Sequence, residues 1–197
     1  MRKKSPLWRS AARGFRYILV VLLGYLMHTC VMPYFQIGDI MPHLMIAVLS
    51  IITVASGRLR AYWTGAIYGV ITEAMRPTLP FFNLFMYPVL SLVAGLLFAD
   101  KSEKRLEAER SVRENARNVH PYIRTPLCTA VCMLLYEVVN VGYIYIGGTD
   151  LTADHIGRAF TGILITTALA LLLMLPVRAM LGVRRPQRKK PLPESFY

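Results

Sequence analysis

The chain has 197 residues, of which 55% are hydrophobic, with a mean hydropathy of +0.43 and a formal net charge of +12. Its apolar residues fall in long blocks rather than in alternating or amphipathic stripes, which places it in a bilayer and excludes an ordinary water-soluble domain. Free basic tails often bind nucleic acid, but here the charge is parcelled out between apolar blocks, which favours anionic lipid headgroups instead.

Six blocks predict an all-α integral membrane protein of six transmembrane helices, roughly at 17–32, 42–56, 61–72, 83–99, 125–145 and 156–180. The expected organisation is a basic segment at 1–16, one six-helix membrane domain at 17–180 with a charged stretch at 100–124, and a basic tail at 181–197. The second and third blocks are short beside the ~20 residues a spanning helix needs. They count separately because Gly57-Arg58-Leu59-Arg60 would otherwise hold two guanidinium groups in mid-membrane. If the helices alternate in direction, 21 of the 23 Lys and Arg residues share one side, leaving only Arg76 and Arg158 near the other. The positive-inside rule then puts both termini in the cytoplasm.

The first sixteen residues carry six positive charges interleaved with Leu7, Trp8 and Phe15, as suits a segment at the headgroup interface. A basic region before an apolar run also describes a signal peptide, but no small-x-small cleavage site follows, and His28-Thr29 precede Cys30 where lipoprotein signals carry small apolar residues. The first span is therefore expected to be retained. Tyr34 and Phe35 belong to an aromatic belt in the outer loop, and Pro42 opens the second span where a missing N–H costs nothing. His43 is expected to be a hydrogen-bonded residue at the outer mouth.

In the third block Ala61, Gly65, Gly69 and Glu73 recur every four residues, which stacks three small residues and one carboxylate on one helix face. Small-xxx-small spacing lets two backbones approach closely in lipid, so this face is expected to lie open and to receive the transmembrane helix of a single-span partner, with Arg76 as the pairing residue of Glu73. The alternative is internal packing against the next span, whose Ser91, Gly95 and Ala99 also recur every four residues. Arg76-Pro77-Thr78-Leu79-Pro80 breaks the helix, and Asn83 and Tyr87 then share a face. The stretch from Asp100 to His120 reads as a solvated helical extension with Glu109/Arg113 and Arg110/Glu114 pairs.

Glu137 lies near the middle of the fifth block with Asn140 one turn on, and is expected to be a structural hydrogen bonder between helices. Cys128 and Cys132, one turn apart, read as small apolar packing. Neither a Walker loop, a G-x-S-x-G or H-E-x-x-H motif, nor a clustered His/Cys set occurs, so no enzyme activity, metal or cofactor is expected.

The basic N-terminus and single span, the proline-opened second span at Pro42-His43-Leu44, the basic turn Gly57 to Arg60, the face Gly65/Gly69/Glu73, and then Asn83 and Tyr87 resemble the rod shape-determining MreD family. The resemblance covers roughly residues 15–100. That family usually has aspartate where this chain has His43. The resemblance implies a noncatalytic scaffold of the cell-elongation machinery in the bacterial inner membrane. It would bind MreC, a single-span protein, and through it support the elongation glycosyltransferase and transpeptidase pair and, indirectly, cytoskeletal MreB. The implied fold is like that of the substrate subunit of energy-coupling-factor vitamin transporters. Such a subunit is also the rival function, with Glu137, Asn140 and Asn83 as ligand contacts in an outward pocket.

Overall fold

The computed structural model describes residues 6–37, 40–75, 80–99, 120–148 and 152–182. The expected pairing residue Arg76, most of the charged stretch and the basic tail lie outside them. The protein is all-helical, with six α-helices among the described residues: α1 (Pro6–Cys30), α2 (Leu44–Ser56), α3 (Arg58–Met75), α4 (Phe82–Phe98), α5 (Pro121–Ile146) and α6 (Ala153–Leu181). Three stretches, Ala11–Tyr34, Pro121–Tyr143 and Ala153–Leu181, are long and apolar enough to cross a membrane. The shorter Leu44–Ser56 and Phe82–Phe98 are apolar too. The basic segment continues into the spanning stretch, since α1 begins at Pro6 and runs unbroken to Cys30.

Helix boundaries follow from local chemistry. Gly57 lies at φ +85°, which L side chains rarely adopt, and its N–H closes α2 on Thr53 O at 3.2 Å. The next residue already belongs to α3, so one glycine reverses the chain and the two arginines sit in the first turn of α3 rather than in a loop. Pro42 precedes the cap of α2 instead of occupying its first turn, and His43 is the N-cap residue. At the start of α6 a capping box joins Thr152 and His155, and Gly182 at φ +67° ends that helix.

The short helix α2 is the centre of the molecule. Every residue from Leu44 to Val54 is buried, and α1, α3, α4, α5 and α6 all pack on it. A helix apolar on all sides is stable only when surrounded. Its hydroxyls do not interrupt this, because Ser50 Oγ donates to Ile46 O at 2.9 Å and Thr53 Oγ1 to Leu49 O at 2.8 Å. The outer helices close round it in the order α1, α3, α4, α5, α6 and back to α1. The α1–α3 seam is bridged by tyrosines. Tyr68 Oη donates to Val21 O at 3.1 Å, and Tyr17 Oη reaches Arg60 O at 3.0 Å and Thr64 Oγ1 at 2.9 Å.

The bundle has two unlike ends. At one, arginines meet helix C-termini: Arg58 Nε donates to Gly95 O at 2.9 Å, Arg124 donates to Phe98 O, and the Arg16 guanidinium lies against Gly182 at the end of α6. Cations there satisfy orphan carbonyls and complement the negative end of the helix dipole. The other end gathers His28, His43 and Tyr136.

Candidate functional site

The small-residue face of α3 is already filled. A Cβ at Gly65 would lie 2.6 Å from both Tyr87 O and Ser91 Oγ, and one at Gly69 would lie 2.9 Å from Asn83 O and 3.3 Å from Leu84 Cα. All but the Ser91 hydroxyl are backbone atoms of α4, so α3 and α4 form a close hairpin. Ala61 and Tyr68 are buried beside them. The expectation of an open face at Ala61, Gly65 and Gly69 is thereby corrected: the alternative, packing on Ser91 of the next helix, is what the chain adopts. The reason is that α3 and α4 are joined by only a few residues, so the nearest backbone available to the glycines is their own successor.

Glu73 also serves this hairpin. Its Oε1 accepts the Phe81 N–H at 2.6 Å and its Oε2 accepts the Asn83 N–H at 3.2 Å. Phe81, the N-cap residue of α4, stands at φ 63° and has no side-chain acceptor of its own. The carboxylate of the preceding helix therefore caps the positive end of α4. Asn83 and Tyr87 are both buried on the inner face of α4, and Tyr136 Oη donates to Asn83 Oδ1 at 3.5 Å. Cys128 and Cys132 are buried, free thiols, as small packing residues would be. Compared with known proteins, the chain matches no family model and no curated protein.

At the histidine end, α2, α5 and α6 leave a cavity of about 270 Å³ lined by His43, Glu137, Asn140, His155, Arg158 and Gly162, among others. Glu137 is half-buried, with Asn140 of its own helix within hydrogen-bonding reach and Gly162 of α6 opposite: a Cβ at Gly162 would lie 3.8 Å from Glu137 Oε1. The expected hydrogen bond from Glu137 across to another helix is not made among the described residues, where its neighbour is on the same helix and the cavity lies in front.

His43 is fixed from three sides. Its backbone N–H donates to Thr166 Oγ1 of α6 at 3.1 Å, and its ring lies 5.0 Å from that of Tyr136 and 6.2 Å from that of His28. Its Nδ1 is buried without a hydrogen-bond partner. Sequence spacing could not bring these residues together, because they come from one N-cap, one mid-helix turn and one helix start. Thr166→Val removes the acceptor that ties the start of α2 to α6. A loss of about 1 kcal/mol is expected, read as a lower thermal midpoint of the purified protein. An unchanged midpoint would mean that this hydrogen bond does not hold α2.

Proposed function

We propose that the chain is a noncatalytic scaffold of the MreD type. In this reading it crosses the bacterial inner membrane six times with both termini in the cytoplasm, and it binds a single-span MreC-like protein in the cell-elongation machinery. One observation carries the reading. The residues behind the resemblance are neighbours: Pro42-His43 leads into the central helix at Leu44, while Gly65 and Gly69 lie on the α4 backbone at Tyr87 and Asn83, and Glu73 accepts the Asn83 N–H. The vitamin-transporter alternative needs Asn83 beside Glu137 and Asn140, and Asn83 instead faces Tyr136 inside the bundle. With the inner face of α3 taken by α4, the partner helix has the lipid-facing residues of the ring to meet, such as Leu59, Trp63 and Val70 of α3.

The test is to express the tagged full chain with the MreC of the same bacterium and to isolate it from detergent extracts. Copurification of the single-span protein, together with loss of rod shape on depletion of the chain, is the expected result; absence of both overturns the scaffold reading. Topology gives an independent check. With the three native cysteines replaced, an impermeant thiol reagent is expected to label Ala153→Cys in intact cells and to leave His120→Cys unlabelled until the cells are opened. The reverse pattern rules out cytoplasmic termini.

A further inference from the structure

The cavity at the histidine end is polarised. Glu137 and Asn140 project from α5 and His43 from the start of α2, whereas His155 and Arg158 belong to the first turns of α6. The first group is rich in acceptors: a carboxylate and an amide oxygen. The second group donates. His155 Nδ1 is engaged by Thr152, at 2.7 Å from Oγ1 and 3.4 Å from the backbone N–H, which places the ring proton on Nε2. Arg158 is exposed and adds a guanidinium. Arg158 and Gly162 are one turn apart on α6, and Gly162 is where Glu137 approaches that helix, so the two charges face one space from different walls. Among the described residues neither charge has an ion-pair partner.

We propose that this cavity binds a small amphoteric solute of the α-amino-acid class, its ammonium towards Glu137 and Asn140 and its carboxylate towards Arg158 and His155. Size sets the scale. A volume of about 270 Å³ is far more than the ~30 Å³ of one water and falls just short of the roughly 300–1,000 Å³ typical of drug-sized ligands. Charge sets the class. A simple cation would leave Arg158 and His155 unmatched, and a simple anion would bring a second negative charge to Glu137. Among the described residues no cluster of three or more His, Cys, Asp or Glu could hold a metal ion, so nothing in the lining favours a divalent cation over an ammonium. The site does not depend on the scaffold reading and stands or falls separately.

The experiment uses the full-length protein purified in detergent. Each of the standard L-α-amino acids is offered at about 1 mM, the weak end of specific binding, and the thermal midpoint is recorded. At least one is expected to raise it. Calorimetry then compares that amino acid with the amine lacking its carboxylate and the acid lacking its amine, each expected to bind about tenfold or more weakly. Glu137→Gln, which keeps the shape of the side chain, is expected to weaken the amino acid and the amine but not the acid. Arg158→Gln, at an exposed position, is expected to fold and to weaken the amino acid and the acid but not the amine. The proposal is overturned if no amino acid shifts the midpoint, if either analogue binds as well as the parent, or if the folded Arg158→Gln protein binds the parent unchanged.

Discussion

Gly65→Leu is expected to abolish recovery of folded, monodisperse protein, and Gly69→Leu to do nearly the same. A first side-chain atom at either position already meets the backbone of α4 at under 3 Å, and backbone cannot swing aside as a flexible side chain can. Overpacking of this kind typically costs about 1–3 kcal/mol. Leucine adds three further carbons in the same direction, and the Ser91 side chain blocks its other exit, so the upper part of that range is a floor here. In lipid the penalty falls on the interactions that hold helices together, because acyl chains solvate an exposed apolar face as well as another helix does. Gly142 is the control. Nothing lies within 4 Å of a Cβ placed there, so Gly142→Leu is expected to fold normally and to gain the helix propensity that glycine lacks, about 0.5–1 kcal/mol. Size-exclusion profiles and thermal midpoints of the three variants measure this. If Gly65→Leu folds with the parent's midpoint and loses only a copurifying partner, then α4 does not lie on this face and the glycines are an open docking surface after all.

The hairpin also marks how far the sequence alone could lead. Glycines at four-residue intervals announce a close helix contact, but the spacing is blind to which helix makes it; only the short α3–α4 connection decides for α4. The six apolar blocks correspond to six helices because hydropathy is local, and the position of α2 at the centre had a local sign as well: from Leu44 to Val54 it has no charged face to turn outward, and its two hydroxyls bond to their own helix. Arg58 and Arg124 were legible only as topology signals. That they also donate to carbonyls at the end of α4 depends on three helix ends arriving at one place. The cavity was the least legible feature. Glu137 and Asn140 stand out by their cost in an apolar block, whereas nothing in the sequence connects them with His43, His155 and Arg158 at distant helix ends, and only the fold sets all five round one space.

Glu73→Leu is the second substitution with a large expected effect, and it separates a capping role from a partner-binding one. The carboxylate takes the N–H groups of Phe81 and Asn83, two of the donors left unbonded at the start of α4. Hydrogen bonds to a charged group contribute about 1.5–3 kcal/mol each when enclosed, but the Phe81 contact is solvent-accessible, so about 2 kcal/mol for the pair is the expected loss. For a chain of this size, at about 2–4 °C per kcal/mol, that is a fall of about 4–8 °C in the thermal midpoint. Glu73→Gln keeps one acceptor oxygen without the charge, so it is expected to fall between the parent and the leucine variant. The left-handed Phe81 sharpens the effect: with no acceptor on its own side chain, nothing local replaces the lost carboxylate. If Glu73→Leu melts with the parent while partner copurification fails, the carboxylate belongs to an interface and the cap is incidental; a lowered midpoint with copurification of the folded protein unchanged identifies Glu73 as the clasp that holds α4 to α3.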